Sequence, residues 1–296
     1  MGTIVTIEVV RPDAGAAIDR ALGWFRHVEA TCSRFDPQSE LFQLTAHVGQ
    51  AVPVSTMLFE AIRFAVHVAT VTNGAFDPAI GSAMQQRGFN REHRSGNEPP
   101  VITPEDTPTY SDVVVDDERR TVMLRRPLLL DLGAVAKGLA VDLAARELQP
   151  FEDFAIDAGG DLYLGGLNRE REPWTVGIRH PREAGGVIAS VSLSNRAICT
   201  SGNYERGEHI LDPRPARRTR RPRRPTRDTP GRRTRVGNAA SVSVIAASAM
   251  LADALSTAAF VLGPVAGLRL LETMSVDGLI VASDLTMSTT PGWPRE

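Results

Sequence analysis

The sequence predicts an α+β fold in which mixed or antiparallel sheets pack against helices. Along the 296 residues, stretches with helical spacing of apolar residues and stretches with β-branched alternation both recur. They do not follow the regular strand–helix–strand order of a doubly wound sheet. The strand-like stretches crowd into the second half, where Gly, Pro and Asn separate them. No internal repeat is present.

Taken in order, Thr3 to Val10 alternates β-branched residues and reads as a strand. From Asp13, apolar residues Ile18, Leu22, Phe25 and Val28 recur at helical spacing, and a second such helix runs from about Ser55 through Leu58, Ile62, Ala65 and Ala69. Asn73-Gly74 supplies its stop, since these residues tolerate the left-handed conformation that closes a helix. Gly88 to Pro108 reads as a long polar loop. Thr121 to Leu130 reads as a strand leading into Asp131-Leu132-Gly133, with a helix from about Val135 to Leu148. Short strands are expected at Phe154–Ile156, Trp174–Ile178, Val187–Leu193, Ala197–Thr200, Ser241–Ala246 and Leu279–Ala282. A helix over Ser248–Leu262 ends at Gly263, and Pro264 opens one more.

Composition narrows the function classes. With 42% hydrophobic and 23% charged residues the chain has a globular composition, and no apolar run reaches the length of a membrane span. Met1-Gly2-Thr3 leads straight into β-branched sequence, so a cytoplasmic location is expected of the chain as written, and export if the start lies upstream. Cys32 and Cys199 are too few for a disulfide framework or a cysteine zinc site. Of the 33 basic and 35 acidic residues, eleven arginines and one aspartate fall between Arg214 and Arg235, leaving 22 basic and 34 acidic elsewhere. An acidic body, and no aromatic within the arginine run, argue against nucleic acid as a partner. The run has too little apolar surface to offset its ordering entropy and is expected to be a mobile surface insertion over 214–235 without a catalytic role. Lys137 is the only lysine, which invites a chemical explanation.

Three stretches carry candidate chemistry, each with a plain alternative. Gly74-Ala75-Phe76-Asp77-Pro78 follows a helix end and is either a turn or part of a site. Asp131-Leu132-Gly133-Ala134-Val135-Ala136-Lys137-Gly138 is either a simple strand-to-helix turn or a phosphate site using helix N-terminal N–H groups. Asp253 and Thr257, four apart on a helix, share a face. They form either a solvated surface or a hard-oxygen pair suited to Mg²⁺.

In order along the chain, these stretches and their neighbours resemble the motifs of the ApbE family of FAD:protein FMN transferases. The matching stretches are Met1-Gly2-Thr3, Ser33-Arg34-Phe35-Asp36-Pro37 with Ser39-Glu40-Leu41, Gly74 to Pro78, and Asp131 to Gly138 with Asp142. They continue with Ala158-Gly159-Gly160-Asp161, Pro173-Trp174 with Gly177-Ile178, Thr200-Ser201-Gly202, His209-Ile210-Leu211-Asp212-Pro213, Ser241 to Ala246, and Ala252 to Thr257. The resemblance spans the chain and implies an ApbE-like fold, a single domain over 1–296 divisible near residue 150, and an FAD site in a cleft between the two halves. It places Met1, Phe35, Ala75, Phe76, Asp77, Asp131, Lys137 and Leu211 at FAD. It places Mg²⁺ on the Ala134 carbonyl and the Asp253 and Thr257 side chains, with Ser256 at a position that bears a carboxylate in some relatives. The implied reaction moves FMN from FAD to a threonine hydroxyl of an acceptor protein and releases AMP, with His209 as the base. An FAD pyrophosphatase, or a flavin-binding protein without catalysis, are the alternatives. This sequence departs from the family after Pro213, where the arginine run replaces a short Thr-Gly turn.

Overall fold

The computed structural model describes residues 2–89, 96, 98–99, 102, 107–203, 210–214 and 237–294. The first half runs β1 (Val5–Val9), α1 (Gly15–Cys32), α2 (Glu40–Leu44), β2 (Val52–Pro53), α3 (Thr56–Val71), α4 (Gly81–Gln86), β3 (Val113–Asp116), β4 (Thr121–Leu124) and α5 (Gly133–Leu148). The second half runs β5 (Phe154–Ala158), β6 (Asp161–Gly165), β7 (Trp174–Arg179), β8 (Val187–Leu193), β9 (Arg196–Gly202), β10 (Ala239–Ala246), α6 (Ala249–Leu262), α7 (Pro264–Thr273), β11 (Asp277–Ala282) and β12 (Met287–Thr289).

Seven strands form one antiparallel sheet in the order β1-β5-β6-β9-β10-β11-β12, beside a three-stranded sheet β2-β4-β3 and a β7–β8 ribbon. Side chains on a strand alternate between faces, and here both faces of the large sheet are covered. Val242 and Val244 of β10, Ala197 and Cys199 of β9 and Ile280 of β11 join the main core under the helices. Their neighbours Ile245, Ile198, Leu279 and Val281 join a smaller core with Ile178, Val191 and Leu193 of the ribbon. The main core also draws on Val28, Ile62, Leu132 and Leu255.

The expected helices form where the spacing puts them. Ser55 caps α3 by accepting the Leu58 N–H at 3.3 Å, and Ser248 caps α6 through Leu251 at 3.3 Å. Asn73 and Gly74 take φ of 49° and 73°, which ends α3 as their residue types anticipate. One expectation is corrected. The strand expected over Thr121–Leu130 stops at Leu124, because Pro127 has no N–H for a ladder and the following backbone pairs elsewhere. Leu129 accepts from Gly81 N at 3.1 Å and Asp131 N donates to Pro78 O at 2.8 Å, so Leu128–Leu130 is buried without being a strand. Strands β2, β3, β6 and β12 and the short helices α2 and α4 were not legible beforehand, being two to six residues long. No helix among the described residues is long and apolar enough to cross a membrane.

Candidate active site

The polar centre lies where α5 and α6 meet β6 and β9. Gly138 of α5 makes that approach possible: a Cβ there would stand 2.5 Å from Met250 Cα and 2.6 Å from the Ala249 carbonyl. Asp142, one turn on, accepts the N–H groups of Ala249 and Met250 at 2.7 and 3.0 Å and so ties α5 to the first turn of α6. Burial pushes its carboxyl up to about 6, against those two N–H bonds and the charge of Arg146.

With the helices set this way, Lys137 of α5 forms an ion pair with Asp161 of β6, which is 1% exposed. Burial, the largest influence on Lys137, works to lower its pKa. The carboxylates of Asp161 and Asp253 outweigh it, and the ammonium is held above the ordinary lysine value. Cys199 pairs in register with Asp161, donates to Ala249 O at 3.4 Å, and is pushed well above the usual thiol range by burial and then by Asp161 and Asp253. It stays a thiol and is no nucleophile. Burial and Glu40 likewise push Cys32 up to about 12.

Helix α6 contributes Asp253, which is 6% exposed, and the half-buried Thr257. The solvated-surface alternative for this pair is therefore excluded: α6 is buried on nearly every side, with Leu255 and Ala258 in the core. Ser201 of β9 reaches Ser256 Oγ at 2.8 Å and Thr257 Oγ1 at 3.1 Å, and Ser256 donates to Asp253 O at 2.9 Å. Ser256 is thus committed to holding the helix on the sheet.

The Asp131–Gly138 turn differs from a phosphate-binding helix start in one respect. Gly133 N–H donates to Asp131 Oδ1 at 2.8 Å, while Val135 and Ala136 both donate to Leu132 O. Those three N–H groups are bonded within the turn. Ala134 has a non-helical φ of −90° and ψ of 17° within the first turn of α5.

A second cluster lies on turns. Arg34 pairs with Asp131 Oδ2 at 2.9 Å and stacks on Phe35 at 4.2 Å. In the Gly74–Pro78 turn, Ala75 and Phe76 are buried. Asp77 accepts the N–H groups of Ala79 at 2.8 Å and Tyr110 at 3.1 Å, and burial pushes its carboxyl up to about 6. A Cβ on Gly74 would lie 3.6 Å from Tyr110 and 4.0 Å from the Cγ of Arg214, so the turn meets the residues that follow Leu211. Leu211 is buried, and Arg214 is fixed on Asp212 by bonds of 2.8 and 2.9 Å. Of the arginine run expected to be mobile, Arg214 alone is among the described residues. Met1, His209 and residues 215–235 of the run lie outside the described residues.

Sequence reasoning left Arg34 and Asp161 out of the candidate list. Both sit inside quoted motifs, and each is the charge partner of a residue that was chosen.

A helical layer on an antiparallel sheet, with a lysine–carboxylate ion pair, a second buried carboxylate and several hydroxyls gathered at the junction, defines an α+β protein with a buried polar centre. The chain belongs to the ApbE family, whose model matches residues 1–280. It is 28% identical to the FAD:protein FMN transferase of Vibrio cholerae, over 95% of this chain and 85% of that one. With the FAD:protein FMN transferase of Rhodobacter capsulatus it shares 32% identity, over 98% of this chain and 55% of that one. The crystal structure of the ApbE protein from Thermotoga maritima matches it with a TM-score of 0.81 at 28% identity, over 100% of this chain and 97% of that one. The flavin transferase ApbE of Vibrio cholerae shares the fold, with a TM-score of 0.80 at 24% identity, over 99% of this chain and 95% of that one.

Proposed function

We propose that the protein is a Mg²⁺-dependent FAD:protein FMN transferase that moves the FMN of FAD onto a threonine hydroxyl of an acceptor protein. The observation that carries this reading is the convergence of Lys137, Asp161, Asp253 and the Ser201–Thr257 hydroxyls at one junction of helices and sheet. The donors fit Mg²⁺, which prefers oxygen and few protein ligands: a buried carboxylate on Asp253, a hydroxyl on Thr257 and the carbonyl of Ala134 at its non-helical turn. When bound, the ion would neutralise the pyrophosphate charge that repels an incoming nucleophile.

The protein's own residues would do the rest. Lys137 stays charged beside Asp161 and Asp253, so it offers positive charge to the phosphates and cannot serve as the base. Cys199 stays protonated and is excluded as well. This leaves the base to another group, and His209 is our candidate. The threonine oxygen attacks the phosphorus of the FMN half, the bond from that phosphorus to the bridging oxygen breaks, AMP leaves with that oxygen, and the hydroxyl proton passes to the base. Asp131, Phe35, Ala75, Phe76, Asp77, Leu211 and Met1 would bind FAD.

The test incubates the protein with FAD, Mg²⁺ and an acceptor domain carrying a threonine flavinylation motif, followed by in-gel flavin fluorescence. Covalent fluorescence that disappears with EDTA supports the reading. Release of free FMN and AMP with no labelled acceptor would replace it with FAD pyrophosphatase activity.

A further inference from the structure

Arg34 is a buried cation with an unusual set of neighbours. Its side chain is 6% exposed, and its Nε pairs with Asp131 Oδ2 at 2.9 Å. Its Nη2 donates to the Phe89 carbonyl at 2.7 Å, and its guanidinium lies over the Phe35 ring at 4.2 Å. Nη1 is buried with no hydrogen-bond partner among the described residues. Burying a guanidinium is costly unless its donors are met, and a planar fork is the side chain that can pair and stack at once.

We propose that Arg34 is a positioning residue for FAD: it locks the Phe35 ring and the Asp131 carboxylate into one unit and leaves a single ring face for stacking. The proposal rests on the reading that Phe35 and Asp131 touch FAD. Residues 34 and 35 are adjacent on the turn after α1, while Asp131 precedes α5 nearly a hundred residues later. A bond between them sets the distance between an aromatic plate and a hydrogen-bond acceptor, which is what a flat heterocycle with ring N–H or amino donors requires. Because the guanidinium covers one face of Phe35, a ligand ring can stack only on the other. Asp131 is further held by the Gly133 N–H, so both its oxygens are already oriented before any ligand arrives.

The experiment measures FAD affinity by isothermal titration with Mg²⁺ and no acceptor, and kcat and KM for FAD in the transfer assay, for wild type, R34K, R34M, D131N and R34M/D131N. A thermal melt checks the fold of each. R34M should weaken FAD binding and raise KM by about 10–100-fold, with kcat at saturating FAD within about threefold. R34K keeps the charge but not the fork and should weaken binding by about 5–20-fold. R34M/D131N should be little worse than R34M alone, because the two residues act as one unit. R34K is the variant expected to fold in every case, and wild-type affinity in it overturns the proposal, as does a loss confined to kcat. If wild type itself fails to bind FAD, the flavin-site reading falls and this proposal with it; wild-type binding with unaffected variants removes the proposal alone.

Discussion

The Lys137–Asp161–Asp253 centre is carried by four regular elements, whereas the Arg34–Phe35 and Ala75–Asp77 cluster is carried by turns at helix ends. In the first, α5, α6, β6 and β9 are fixed by hydrogen bonds and by a helix contact so close that only glycine fits at 138. In the second, a few charged contacts hold short irregular segments in place. The difference matches the tasks proposed for them. Charge stabilisation at a reacting phosphate depends on groups held still by the scaffold, while the turns rely on single charged contacts such as Arg34–Asp131 to orient a flat ligand.

Breaking the rigid side should have the largest consequence. Asp253→Ala is expected to abolish Mg²⁺-dependent transfer, with a loss of several kcal/mol in transition-state stabilisation and a melting temperature close to wild type. Unchanged turnover at limiting Mg²⁺ would remove α6 from the site. His209→Ala should slow transfer by roughly 10²–10⁴ while FAD affinity stays similar; collapsed affinity with a normal rate on bound FAD would make it a binding residue instead.

Gly138→Ala probes the scaffold rather than the chemistry. The added methyl meets backbone atoms of Ala249 and Met250, which cannot swing aside, so a stability loss of about 1–3 kcal/mol is expected. Transfer should fall with it, because Asp253 and Thr257 ride on the displaced helix. A variant as stable and active as wild type would show that the two helices need not be this close. On the turn side, Phe35→Leu should raise KM for FAD by roughly tenfold, the loss of one stacking contact, and leave kcat near wild type.

The smallest effect concerns pH. Asp77 and Asp142 have folded values raised to about 6 from 3.8. Between those values the folded chain holds protons that the unfolded chain has released, so the contribution of these groups to stability falls as pH rises through the window. Melting curves from pH 4.5 to 7 should show a shallower decline in Asp142→Asn than in wild type. Equal slopes would mean that Asp142 does not titrate there.

Much of the candidate site was drawn from the sequence before any coordinates. Asp253 and Thr257 share a face because helical spacing dictates it, and a single lysine in an arginine-rich chain flagged Lys137. Phe35, Asp77 and Asp131 became candidates through the family resemblance, carried by short motifs that lie at element ends. Asp161 was overlooked because its value comes from facing Lys137 where α5 packs on the sheet, a contact that no local pattern reveals. Arg34 was overlooked for the same reason, since its partner Asp131 is far away in sequence. The strand assigned to Thr121–Leu130 shows the opposite failure. Its apolar run was real, but Pro127 interrupts the ladder, and Leu129 and Asp131 bond to the backbone of Gly81 and Pro78 instead.

What the sequence alone determined was the set of elements with strong period, their caps and stops, the α+β class, and a family resemblance that the comparisons bear out. These depend on residue type and near-neighbour spacing. Tertiary structure decided which face of the sheet each strand residue serves, that α6 is buried around Asp253, and which carboxylate each buried cation meets. Those outcomes depend on strand order and on how closely two helices can approach. They arise from contacts between residues distant in the chain, where burial and charge strengthen interactions that no local stretch contains.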